Sequence, residues 1–128
     1  MTESAPPGGP DLQYRAHLEA GRFMLQRAVA SGTYVFPPRT AAPRTGEALE
    51  WVEASGRGVV YSTTVLRKRP PEPSLNIVLV DLAEGPRMMS RVEGPEPGAV
   101  RIGMVVRAEI IAAEEGPLVI FRPAETEQ

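Results

Sequence analysis

Gly56-Arg57-Gly58-Val59-Val60-Tyr61-Ser62-Thr63-Thr64-Val65-Leu66 is the stretch whose reading decides the fold. β-Branched and aromatic residues fit a pleated, half-buried surface, and the glycines that open the run can take a bulge or bend. Side chains alternate along a strand, so Val59, Tyr61, Thr63 and Val65 are expected on one face and Val60, Ser62, Thr64 and Leu66 on the other. Both faces are then partly apolar. That suits a long strand curling through a small barrel better than one lying on an open sheet.

On its N-terminal side, Leu49-Glu50-Trp51-Val52 alternates in polarity and is expected to run on through Ser55-Gly56 into the central strand. On the C-terminal side, residues 75–82 are an almost continuous apolar run, expected to be a strand covered on both sides. Residues 87–92 return from a turn at Asp81-Leu82-Ala83-Glu84-Gly85-Pro86. Residues 105–111 alternate Val106, Ala108 and Ile110 against Arg107 and Glu109, and a turn at Glu114-Glu115-Gly116 leads to a last strand over 118–121. Five strands in so short a stretch have the count of an OB-type barrel.

Before the barrel, residues 1–10 are rich in Pro, Gly and small polar groups and read as a disordered lead-in. Asp11 is placed to cap a short helix over 11–20, with Gly21 as its stop. Two extended segments, 22–28 and 32–36, flank Val29-Ala30-Ser31 and read as a hairpin, which Pro37-Pro38 ends because proline cannot donate to a ladder. The divisions are therefore lead-in 1–10, helix and hairpin 11–48, barrel 49–123 and polar tail 124–128.

The 128 residues suffice for one core. With 14 basic and 16 acidic residues and a net charge of −2, no electrostatic reason exists to expect a polyanionic partner, and aromatics at 5% are too few for a stacking groove. A nucleic-acid binder ranks last. There is no cysteine, and the single histidine, His17, cannot build a metal site alone. His17 reads as a surface or docking residue. No apolar run resembles a signal peptide or approaches the ~20 residues of a membrane span, so a cytoplasmic protein without membrane contact is expected. No nucleophile elbow or phosphate loop occurs, and the acid pairs Asp81/Glu84 and Glu114/Glu115 fall in turns where solvated carboxylates are the default. The chain is not expected to be an enzyme.

A family resemblance rests on several segments in order: Leu25-Gln26-Arg27; Gly32; Phe36-Pro37-Pro38-Arg39; Leu49-Glu50-Trp51; Gly56 to Ser62; Val80 to Pro86; Val100-Arg101-Ile102-Gly103-Met104; and Phe121-Arg122-Pro123. With a helix, a knuckled hairpin and a five-stranded barrel in that order, the chain resembles the zinc-ribbon plus OB-fold proteins of the acyl-CoA-associated family, small partners of thiolase-like enzymes and of some acyl-CoA hydratases. The resemblance implies a mainly β fold: an OB barrel preceded by a short helix and a rubredoxin-like zinc ribbon. In the family two Cys-x-x-Cys knuckles hold zinc. The matching positions here are Ala28, Ser31, Ala42 and Thr45, none of which supplies a thiolate, so a metal-free ribbon is expected.

The resemblance further implies a non-catalytic accessory subunit that binds a thiolase-like or hydratase-like enzyme and helps shape its acyl-CoA channel. A stand-alone acyl-CoA binder is the alternative, and homo-oligomerisation stays open. The resemblance implies acyl-CoA as a ligand, and no bound cofactor and no zinc are expected. Arg67-Lys68-Arg69, beside the stiff Pro70-Pro71-Glu72-Pro73, can meet coenzyme A phosphates because guanidinium groups bind phosphate in pairs of hydrogen bonds; the competing reading is a solvated loop guarding a sheet edge. Tyr34, an exposed Phe36, Arg39 and Arg44 are the candidate partner-binding residues, since aromatics and arginines commonly anchor interfaces.

Overall fold

The computed structural model describes residues 8–70 and 74–124. Most of the expected lead-in, the 71–73 part of the proline loop and nearly all of the polar tail lie outside the described residues. No helix among the described residues is long and apolar enough to cross a membrane.

The chain opens with helix α1 (Pro10–Glu19). Its cap is Gly9, and Asp11 sits in the first turn instead of capping it, because Pro10 already occupies the first helical position, where its missing N–H is no loss. The far end follows expectation. Gly21 takes φ +83°, its N–H bonds the Leu18 carbonyl at 2.9 Å and the Arg22 N–H bonds the His17 carbonyl at 2.9 Å, a Schellman closure. Strands β1 (Met24–Ala28), β2 (Tyr34–Val35) and β3 (Leu49–Glu53) form a small antiparallel sheet in the order β2-β1-β3.

The second sheet has the order β6-β5-β4-β7-β8, built from β4 (Arg57–Leu66), β5 (Leu75–Leu82), β6 (Arg87–Ser90), β7 (Val105–Ala113) and β8 (Gly116–Pro123). All its pairings are antiparallel, and the sheet curls into a half-barrel of OB type. Five strands is the number expected, but β3 does not continue into β4. Gly56, at φ +81°, turns the chain between them, and β3 pairs with β1 in the other sheet.

Two expectations about faces are corrected. A bulge between Val60 and Ser62 gives β4 one extra residue, so the inward face holds Gly58 and Val60 before it and Thr63 and Val65 after it, leaving Val59 and Tyr61 outside. β5 is covered on one face only. Asn76, Val78, Val80 and Leu82 are buried, while Ile77 on the other face is 40% exposed because none of the described elements packs over it.

The curled sheet is closed where the chain leaves β6. The Asn76 side chain accepts from the Val92 N–H and donates to the Val92 carbonyl, both at 2.8 Å. Phe121 of β8 bonds Arg91 and Glu93 on either side, at 2.9 Å each. One core results. Val78, Val80, Val106 and Phe121 are fully buried and meet Leu18 of α1 together with Phe23 and Leu25 from the small sheet's side.

At Gly58 the backbones of β4 and β5 approach closely. A Cβ there would stand 2.5 Å from Val80 Cγ1 and 3.0 Å from the Asp81 carbonyl oxygen, so no side chain fits without moving β5. Gly58→Ala is expected to lower unfolding free energy by about 1–3 kcal/mol, an overpacking cost. Gly98→Ala, with open space around it, should change it by less than about 0.5 kcal/mol. Urea denaturation of the two variants against the parent chain measures the contrast.

Candidate functional site

The hairpin turn after β1 is closed by two backbone bonds, Gly32 N–H to the Ala28 carbonyl at 2.8 Å and Ala28 N–H to the Thr33 carbonyl at 2.7 Å. A second turn runs over 42–46, where the Gly46 N–H bonds the Ala42 carbonyl at 2.9 Å and Arg44 takes φ +76°. Glu47 joins the two. Its carboxylate accepts from the Ser31 hydroxyl at 3.1 Å and the Ser31 N–H at 3.3 Å; its own N–H donates to the Thr45 hydroxyl at 3.3 Å; its carbonyl accepts from the Ala42 N–H at 3.0 Å. Three of the four positions matched to metal ligands, Ser31, Thr45 and Ala42, thus bond one residue, while Ala28 and Ala42 are buried methyl groups. Two methyls and two hydroxyls do not fit a zinc ion. Among the described residues no group of His, Cys, Asp or Glu is placed to hold a metal.

Beside these turns, the buried Gln26 of β1 holds the approach to the second one. Its amide accepts from the Arg39 N–H and donates to the Arg39 carbonyl, both at 2.7 Å. Arg39 and Arg44 themselves are exposed. Tyr34 and Phe36 are half-buried and pack on the core, so Phe36 is not the exposed residue expected. Its ring meets Tyr14 of α1 edge-on at 5.8 Å, which is what draws it inward. Arg27 lies 6.0 Å from the Tyr34 ring centre and bonds Glu50 at 2.7 and 2.9 Å; the Glu50 bond is the main reason its pKa is raised.

α1 docks through aromatic contacts that composition did not single out. Trp51 of β3 donates to Gln13 at 2.9 Å, stacks on Tyr14 at 6.4 Å and takes the His17 ring at 5.1 Å. His17 is therefore a docking residue, as read from its isolation in sequence. Gln13, Tyr14, Gln26 and Glu47 were missed as organising residues. Gln26 alone carried a signal: a polar residue between Leu25 and Ala28 in a strand whose neighbours are buried.

Arg67, Lys68 and Arg69 are exposed at the end of β4, and among the described residues no ion pair involves them. They are far from the hairpin. Gly32, Thr33 and Tyr34 share a cleft with Glu84, Gly85 and Pro86 just past the end of β5, whereas the basic run follows Leu66, which pairs with Leu75 at the start of β5. An eight-residue strand spans roughly 25 Å. The structure does not bring the two sets of candidate residues together.

Residues 51–110 match the family described as ChsH2, C-terminal OB-fold domain. The whole chain is similar to a chain of the Ltp2-ChsH2(DUF35) aldolase, with a TM-score of 0.80 and 31% identity over 96% of this chain and 100% of that one. The chain belongs to the ChsH2/DUF35 family. Among curated members it is 37% identical over 110 residues to a probable enoyl-CoA hydratase alpha subunit of Thermomonospora curvata, matching 80% of this chain but spanning only 34% of that subunit. It is 27% identical over 120 residues to a DUF35 domain-containing scaffold protein of Pyrococcus furiosus, matching 85% of this chain and 86% of that protein. As a ChsH2/DUF35 chain it pairs the family's OB fold with a hairpin that contains no cysteine.

Burial pushes the Tyr14 hydroxyl up from 10.0 to about 12. A folded-state pKa above the unfolded value means that the stability present below pH 10 is lost as pH rises towards 12, because only the unfolded chain ionises there. Tyr14→Phe is expected to reduce the loss of stability over that interval, read as the difference in melting temperature between pH 9 and pH 11.5.

Proposed function

We propose that this chain is a non-catalytic accessory subunit that docks on a thiolase-like or hydratase-like acyl-CoA enzyme and helps wall its acyl-CoA channel. The observation that carries this reading is the match, over 96% of this chain and 100% of the other, with a chain of the Ltp2-ChsH2(DUF35) aldolase. The scaffold name of the Pyrococcus relative supports a role without chemistry. So does Asp81, one of the turn acids, whose carboxylate is held by Arg87 at 2.6 Å. Arg67, Lys68 and Arg69 are the groups proposed to meet coenzyme A phosphates. The hairpin that carries Arg39 and Arg44 is the proposed docking arm.

In the same reading, the N-terminal unit is a zinc ribbon that has lost its metal, with Glu47 and Gln26 joining by hydrogen bonds what zinc joins in a cysteine-bearing ribbon. Purified protein is expected to hold less than about 0.1 zinc per chain by elemental analysis, and a chelator should leave its melting temperature unchanged; a structural zinc would contribute ~10 kcal/mol and make the chelator denaturing. Glu47→Ala should cost about 0.5–1.5 kcal/mol, the net worth of hydrogen bonds of this kind.

The test of the accessory role is reconstitution. Mixed with thiolase-like and hydratase-like enzymes of its own organism at micromolar concentration, the chain should co-elute with one of them in near-equal amount. Elution alone against every one of them overturns the reading.

A further inference from the structure

The outer face of β4, β5 and β6 carries apolar side chains that no described element covers. Met89 is 68% exposed, Leu66 43% and Ile77 40%. They form one surface because cross-strand partners point to the same side: Leu66 faces Leu75, Thr64 faces Ile77 and Leu79 faces Met89. Leu66, Leu75, Ile77 and Met89 also line a shallow groove of about 370 Å³ that Leu118 and Ile120 of β8 complete. Contiguous exposed apolar surface with a polar rim marks an interaction site.

The rim is cationic on one side. Arg67, Lys68 and Arg69 follow Leu66 directly, while Arg91, which lines the groove, is neutralised by Glu93 at 2.6 Å. A complementary surface is apolar at its centre and acidic where it meets this loop. A second copy of the chain does not supply it, because a two-fold contact uses the same patch on both sides and no carboxylate is among the described residues that line this groove.

We infer that the partner enzyme, gripped also by the docking hairpin, seats on this face through an apolar patch that is anionic where it meets Arg67, Lys68 and Arg69. The inference rests on the accessory role above and assigns it a surface: the barrel's open flank, with the basic loop as an electrostatic guide. Opposite charges at a rim chiefly raise the association rate and make it sensitive to salt.

The probes are the thiolase-like and hydratase-like enzymes of the reconstitution above, titrated by calorimetry with the intact chain and its variants. Ile77→Asp with Met89→Asp should weaken binding at least 30-fold, and Met89→Asp alone at least 5-fold, while Ile102→Asp, exposed beside β7, should stay within twofold. Raising salt from 50 to 500 mM should weaken the parent chain's binding more than that of a variant with Arg67, Lys68 and Arg69 changed to Gln. The single Met89 variant keeps the test decisive if the double one melts below room temperature. Binding by the parent that the Met89 and Ile77 changes leave intact overturns this surface and leaves the accessory role standing. No binding by the parent overturns both. Self-association of the parent, abolished by Met89→Asp, assigns the face to a second copy and overturns the inference.

Discussion

The structure depends on how the backbone at Val92 is held. A curled five-stranded sheet has two edges, and each presents unpaired N–H and C=O groups that are costly to bury. Here the Asn76 amide supplies both a donor and an acceptor to Val92, and Phe121 bonds the residues on either side, so the edges of β6 and β8 are joined through one residue. A buried side-chain amide thereby does the work of a further strand. The same closure carries the Phe121 ring into the centre of the core, where it meets Val78, Val80 and Val106 and the residues that anchor the N-terminal unit.

That unit is stabilised by many small attachments. Its helix is ten residues long, too short to be stable alone, and holds its place through Leu18, the Tyr14 and His17 contacts with Trp51, and the bond from Arg15 to the Glu115 carbonyl at the turn between β7 and β8. Its turns are joined by hydrogen bonds at the surface, each worth about 1 kcal/mol net, in place of a single strong cross-link. The consequence is a small sheet whose stability comes largely from the barrel it rests on. Neither unit has a separate core, since Leu25 and Val60 belong to one cluster.

For the accessory role proposed above, surfaces matter more than cavities. The chain presents two kinds of surface at opposite ends of β5: a hairpin with exposed arginines at one end, and an apolar flank beside three cations at the other. Between them the outer face is capped by the Tyr61 ring under Arg87 at 3.4 Å, with Asp81 holding the guanidinium. A rigid barrel keeps these surfaces at a set separation.

Local pattern in the sequence reached the strands, the hairpin, the helix stop at Gly21 and the OB class, because alternation, β-branching, glycine and proline act over a few residues. The lack of cysteine excluded a thiolate metal site outright. What pattern alone did not reach is every relation between distant segments. β3 and β4 read as one strand, since no local rule says that residues after Glu53 change sheets; the turn at Gly56 and the pairing of Trp51 with Gln26 decide it. The alternation of β4 predicts its faces only until the bulge near Tyr61, which pairing with β5 imposes. The apolar run of β5 reads as doubly buried, yet whether a face is covered depends on what packs over it, and no described element packs over Ile77. Sequence alone determined which residues extend, turn and stop, and excluded a cysteine-bound metal; tertiary structure decided which of them meet, because pairing and burial are set by neighbours far away along the chain.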